Sequence, residues 1–306
     1  MNRAVTIIGL GNVGKFLTGS LLLMKDLRLS INIMDIDPEV EGAVLDLQHA
    51  ANLENRHDIT LNDQGRFEAS DFIFHCAGTP VPKGSSRLVT CESSIEITRT
   101  VFNGFQPKKE PFVIVVANPV EVITGITQFI TKLPKHKVLG TGTFLDSVRM
   151  NYAMRKQLGA LHHVNAVLLG EHGDKMFLSE HLSDIDGYPI RHFFDEERKK
   201  ELLEEVKLSA NKIKETQEAT IYGVGMCALK LFRALLENDA TCYPVCTFLT
   251  EDWAKDIPAE KIAISLYASI SDKGVFPCTN YHPDHKEWKK LVKAGEHISA
   301  CLPENN

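Results

Sequence analysis

Val5-Thr6-Ile7-Ile8-Gly9-Leu10-Gly11-Asn12-Val13-Gly14, near the start of the chain, decides the fold. A β-branched run of strand length meets three glycines spaced Gly-x-Gly-x-x-Gly, and an amphipathic stretch follows over residues 13–24. A strand that passes into a helix through such a turn builds a cradle for a dinucleotide. Gly9 permits the tight turn, Gly11 lets the backbone approach a pyrophosphate, and Gly14 lets the helix pack closely on the strand, with Asn12 and Val13 opening that helix. Alone, the spacing is weak, because glycines also build ordinary turns. Asp35 strengthens it: 21 residues after Gly14, its carboxylate can accept from ribose hydroxyls and would repel a 2′-phosphate. NAD is therefore the expected cofactor rather than NADP.

Outward from this stretch the first half keeps one rhythm. Residues 5–9, 30–35, 71–76, 112–118 and 138–140 read as buried strands, and 13–24, 38–51, 88–105 and 120–132 as helices between them. Strands alternating with helices predict an α/β fold, a Rossmann-type doubly wound parallel sheet. After about residue 142 the rhythm changes to a helix over 145–158 and extended runs over 163–169, 176–183 and 188–190. Helices over 195–214 and 222–236 follow, then strands near 243–249 and 262–270 and a last helix over 283–302. We expect an NAD-binding domain over 1–141 and a mixed α+β substrate and catalytic domain over 142–306.

Composition narrows the partners. With 43% hydrophobic and 24% charged residues, the 306-residue chain has an ordinary globular composition. A net charge of −6 disfavours nucleic acid and anionic membranes, no apolar run approaches the length of a membrane-spanning helix, and the N-terminus leaves no room for a cleavable signal peptide. Seven scattered cysteines without CxxC spacing argue for reduced thiols in a cytoplasm, with Cys242 and Cys246 packing in a core, and against a structural metal site.

A second tract carries the chemistry: Gly170-Glu171-His172-Gly173-Asp174, preceded by Leu145-Asp146-Ser147-Val148-Arg149. A lone histidine is more often a packed or surface residue than a catalyst. Here a carboxylate and a guanidinium accompany it, the parts of a proton shuttle, its orienting partner and an anion clamp. Asp146 and Arg149 stand three apart, on one face of the expected helix.

Taken together, Gly9 to Gly14, Asp35, Leu45-Asp46-Leu47-Gln48-His49-Ala50, Ala77-Gly78, Arg87-Leu88, Ala117-Asn118-Pro119-Val120, Gly140 to Arg149 and Gly170 to Asp174 resemble the lactate/malate dehydrogenase family in order and approximate spacing. That resemblance implies hydride transfer between NAD and a small 2-hydroxy or 2-oxo acid. It makes His172 the acid/base, Asp146 its orienting carboxylate, Arg149 the clamp on the substrate carboxylate and Arg87 the loop arginine that polarises the reacting carbonyl. It places Asn118 against substrate and cofactor and Thr220 beside the substrate side chain, and it implies a homodimer or homotetramer.

The departures bear on specificity. Val81 falls where lactate dehydrogenases usually carry glutamine and malate dehydrogenases arginine, and valine cannot pair with a second carboxylate. L-Lactate dehydrogenase-like activity with tolerance for larger apolar side chains is therefore expected, with L-2-hydroxyisocaproate dehydrogenase as the alternative. Malate dehydrogenase is disfavoured by Val81 and Thr220. A silent NAD-binding protein is disfavoured because Arg87, Asp146, Arg149 and His172 are all present. An NAD- and metal-using glycosidase would need a Cys/His cluster that the chain does not display. Ser94 replaces a usual asparagine beside the cofactor, which weakens or removes one contact there. Asn151 and Asn165 stand where bisphosphate-activated relatives carry arginine and histidine, so no activation by fructose bisphosphate is expected.

Overall fold

A computed structural model describes residues 2–53, 56–80, 87–238, 240–250, 253, 257 and 262–302, and of Arg87 and Leu88 the backbone alone. At its centre β1 (Asn2–Ile8) runs parallel to β2 (Arg28–Met34) on one side and to β4 (Phe72–His75) on the other. With a neighbour on each edge and helices on both faces, such a strand must be apolar almost throughout. Val5, Ile7 and Ile8 are buried, and the one buried hydroxyl, Thr6 Oγ1, is 2.7 Å from Ser70 Oγ. Beyond β2 lies β3 (Asp58–Leu61), and beyond β4 lie β5 (Phe112–Val115) and β6 (Val138–Gly140). The order β3-β2-β1-β4-β5-β6 is that of a doubly wound nucleotide-binding sheet, whose chain direction switches sides between β1 and β4.

The glycine turn sits at this switch point. Helix α1 (Asn12–Leu22) starts directly after Gly11, with no side chain capping its first turn and no acidic residue in it. Gly14 is packed so tightly that a Cβ would come within 2.1 Å of the Gly9 carbonyl oxygen. Any other residue would push α1 off β1. In order, α2 (Glu41–Asn52), α3 (Gln64–Glu68), α4 (Cys91–Phe102) and α5 (Val120–Thr131) complete the layers.

The second half adds α6 (Phe144–Leu158) and a three-stranded antiparallel sheet of β7 (Val164–Leu169), β8 (Phe177–Ile185) and β9 (Tyr188–Pro189). Helices α7 (Glu196–Lys214) and α8 (Tyr222–Leu236) follow, then β10 (Thr241–Thr247), β11 (Ile264–Ser271), β12 (Gly274–Pro277) and α9 (His285–Ser299). Strands β10 to β12 do not form a sheet of their own. They extend the central sheet antiparallel from β6, through Cys246 opposite Gly140, to nine strands among the described residues. One buried ring from α8 ties that helix to the sheet: Phe232 lies 4.8 Å from Phe72 and 5.7 Å from Phe74, centroid to centroid. Burying such a ring contributes roughly 2–3 kcal/mol.

The parallel sheet and the mixed second half agree with expectation; the two sheet edges do not. Strands β3 and β12 and the short helix α3 escaped the periodicity reading, because four- and five-residue elements at an edge bury too little to print a pattern. The helix expected from residue 88 begins at Cys91, after a 3-10 turn over Arg87–Thr90. All seven cysteines are free thiols. Cys246 is buried as expected, whereas Cys242 is only partly buried and its Sγ lies 2.8 Å from that of Cys278.

Candidate active site

Four chain segments converge at the carboxyl ends of the parallel strands. The segment after β5 brings Asn118, the start of α6 brings Asp146 and Arg149, the loop after β7 brings Glu171 and His172, and the link between α7 and α8 brings Thr220. Gly170 makes the turn into the histidine loop. Its φ is +99°, and its N–H and carbonyl exchange hydrogen bonds of 2.9 Å with Ser265. A Cβ there would meet the Lys175 carbonyl oxygen at 2.7 Å, so the loop needs glycine at this point.

Asp146 is the hub. It is fully buried in the first turn of α6, where the helix dipole favours a carboxylate. Its Oδ2 lies 2.5 Å from His172 Nδ1, and its Oδ1 accepts a 3.0 Å hydrogen bond from Arg149 Nη1. One carboxylate thus orients both the imidazole and the guanidinium. The His172 and Arg149 side chains each keep 12% of their surface exposed, enough to meet a ligand and little enough to hold their geometry. A cavity of 380 Å³ opens in front of them, lined also by Val13, Asn118, Thr141, Leu145 and Thr220, with Val224 from α8 and Leu208, Ala210 and Asn211 from α7. Among the described residues, the buried Oδ1 of Asn118 has no hydrogen-bond partner in the protein. A buried acceptor without a donor is costly unless a ligand supplies one.

The cofactor cradle fits NAD. The first turn of α1 presents backbone N–H groups with no side-chain cap, and a Cβ on Gly11 would stand in open space rather than against protein. Asp35 accepts from Leu10 N at 2.6 Å and from Asp37 N at 3.0 Å, one bond per carboxylate oxygen. It pins the glycine turn, and each oxygen keeps a second lone pair for a ribose hydroxyl. Val81 lies outside the described residues, as do the side chain of Arg87 and most of the loop before it. Ser94 is buried, its Oγ 3.4 Å from Thr79 N, and so holds the start of that loop. Asn151 and Asn165 are both engaged internally, Asn151 Oδ1 accepting from Ala166 N at 2.6 Å and Asn165 Nδ2 donating to Asp184 Oδ2 at 2.9 Å.

The structure adds a layer that the sequence did not reveal. Glu121, 2% exposed, accepts from His172 N at 2.7 Å and from Ser265 Oγ at 3.2 Å. Glu171 lies beside it and accepts from Lys175 N at 3.1 Å, with His297 Nδ1 at 3.0 Å. Burial, and behind it the charge of Glu171, pushes the Glu121 carboxyl up from an ordinary 4.5 to about 8. A folded pKa above the unfolded one means that the native chain binds the proton more tightly, so stability declines as pH rises from about 4.5 to 8. Glu121→Gln keeps an acceptor for His172 N but removes the titration. It is expected to flatten that decline and to gain roughly a few kcal/mol over the parent above pH 8. Denaturant melts at pH 6 and pH 9 check this, and equal pH slopes for both proteins would refute it.

Comparison with known proteins agrees with this geometry. A family model described as lactate/malate dehydrogenase, NAD binding domain, matches residues 3–140, and one described as lactate/malate dehydrogenase, alpha/beta C-terminal domain, matches 143–302. L-lactate dehydrogenase 2 of Lactobacillus johnsonii is 30% identical over 95% of this chain and 94% of its own. L-lactate dehydrogenase A of Rhizopus oryzae is 30% identical over 98% and 92%. The solved malate dehydrogenase of Aeropyrum pernix superposes with a TM-score of 0.86 at 25% identity, over 98% of each chain.

Proposed function

The chain belongs to the lactate/malate dehydrogenase family, NAD-dependent oxidoreductases acting on the CH–OH group of 2-hydroxy acids, and from that premise we propose that it is an L-lactate dehydrogenase-like enzyme tolerant of larger apolar side chains. The observation that carries the reading is the pairing of one buried carboxylate, Asp146, with both His172 and Arg149 at a single cavity. With Nδ1 turned to Asp146, the other ring nitrogen, Nε2, takes the hydroxyl proton as the substrate is oxidised and returns it in reduction. Asp146 stabilises the imidazolium formed in between. Arg149 grips the substrate carboxylate through its fork, which sets C2 and its hydroxyl before His172. The glycine turn and Asp35 would hold NAD, which would supply the hydride acceptor for C2. Asn118 supplies its buried amide oxygen to the bound pair, and Arg87, by the resemblance, polarises the carbonyl oxygen. Val13, Gly9, Gly11, Asn12, Gly14 and Asp35 hold the cofactor in this reading, and the division into domains over 1–141 and 142–306, read from the change of rhythm after about residue 142, belongs to it.

Part of the cavity lining supports the apolar preference. Thr220, Val224, Leu145, Leu208 and Ala210 are among the lining residues, together with the charged Glu204, Lys207 and Lys214 of α7, and the residue expected at the specificity position is Val81 rather than a cation. Such a wall separates single methylenes by only about 1–3 kcal/mol, so turnover should be broad. This keeps an L-2-hydroxyisocaproate dehydrogenase as the second reading. NADH oxidation rates across pyruvate, 2-oxobutyrate, 2-oxoisocaproate, phenylpyruvate and oxaloacetate decide between them. Pyruvate and the branched acids are expected to outpace oxaloacetate by at least about tenfold. Oxaloacetate turning over as fast would make the chain a malate dehydrogenase. A cytoplasmic location and a homodimer or homotetramer belong to the same reading, supported by the free thiols and the resemblance.

A further inference from the structure

Helix α7 serves two cavities with one stripe of residues. Its second half faces His172, while Glu196, Lys199, Lys200 and Leu203 of its first half line another cavity, also of 380 Å³. Across that cavity stand Lys286, Lys290 and Lys293 of α9, spaced to fall on one helix face, with Lys175 at its margin. The floor is apolar: Met176, just before β8, Phe177 and Leu178, which open it, and Leu203.

The charges do not balance. The two acids of the lining, Glu180 and Glu196, both pair with the buried Lys199, at 2.8 and 2.5 Å. Among the described residues, Lys175, Lys200, Lys286, Lys290 and Lys293 make no ion pair. Lys290 is half-buried, its Nζ 5.1 Å from the centre of the Phe177 ring, and burial together with the charge of Lys286 holds its pKa below the ordinary lysine range. A desolvated ammonium among other ammonium groups is an electrostatic cost that a bound anion would relieve.

We propose that this groove binds an organic phosphate, a phosphomonoester whose anion is held by the lysines of α9 and whose apolar ester group lies on Phe177 and Leu203. Several converging ammonium groups, with no arginine among the lining residues, match the three oxygens and near-double charge of a phosphomonoester better than a planar carboxylate, which the guanidinium fork suits. The apolar floor asks for more than inorganic phosphate. The site is separate from Asn151 and Asn165, which do not line it.

The test uses 1-naphthyl phosphate as probe, titrated calorimetrically into the whole protein saturated with NADH so that the nucleotide cradle is filled. Saturable binding is expected, with inorganic phosphate and 1-naphthol each at least about tenfold weaker. Lys286→Gln combined with Lys293→Gln changes two exposed side chains and should leave melting temperature and basal turnover unchanged while weakening the probe by at least about tenfold. Because Lys290 remains in that variant, Lys290→Met provides a second reading, expected to weaken the probe while retaining the fold. No saturable binding, equal binding of inorganic phosphate, or unchanged affinity in both variants would overturn the proposal.

Discussion

Replacing His172 with asparagine is expected to lower turnover by roughly 10²- to 10⁴-fold while NADH binds nearly as tightly as before. The asparagine amide can still donate to Asp146, whose carboxylate also keeps Arg149 Nη1 at 3.0 Å, so the buried charge is not stranded. The Glu121 contact is to the backbone N–H of residue 172 and survives the change as well. What disappears is the imidazole that takes and returns the substrate's hydroxyl proton in the proposed reaction. Stopped-flow NADH oxidation and a fluorescence titration with NADH separate the two effects. A variant that kept turnover within tenfold of the parent would remove His172 from the chemistry.

Arg149→Gln is expected to cost roughly 2–5 kcal/mol in kcat/KM, about 30-fold or more, with most of the loss in KM. Two effects could produce such a loss. Arg149 could grip the substrate carboxylate, or it could matter only as the partner of the buried Asp146. Arg149→Lys divides them: it restores a positive charge beside Asp146 but has no fork, so in the gripping role it recovers little. Recovery of most of the parental KM by lysine would assign Arg149 to holding Asp146 alone. A melting curve for each variant shows whether the buried carboxylate tolerates the change.

Much of this site could be read along the chain. The glycine turn and Asp35 sit at strand ends, Asp146 and Arg149 in the first two turns of α6, and His172 in the loop just after β7, places that periodicity and turn residues locate well. The structure gathers Val13, Asn118, Arg149, His172 and Thr220 on one cavity, although Asn118 and Thr220 are about a hundred residues apart in sequence. The part that stayed hidden was the support. Glu121 follows Pro119 and Val120 in a first helical turn, where a glutamate is commonplace as a partner of the helix dipole, and nothing local marks it as buried beneath a histidine loop 51 residues away. The apolar positions of α7 show the same limit. Leu202 and Val206 are core, but Ala210 lines the cavity and Ile213 is 37% exposed. Periodicity reports that a face is apolar and not what covers it.

The sequence by itself determined the parallel sheet and the cofactor class, and it singled out the side chains proposed to handle the proton and grip the substrate carboxylate. These depend on residue type, short spacings and φ preferences, all local quantities. Only the tertiary structure decided that β10 to β12 continue the nucleotide-binding sheet, that Asp146 serves His172 and Arg149 at once, and that Glu121 and Glu171 share the ground beneath the loop. The reason is common to all three. Strand pairing, the sharing of a carboxylate and the cost of a buried charge depend on which distant segments meet, and meeting is settled by packing rather than by any stretch of chain alone.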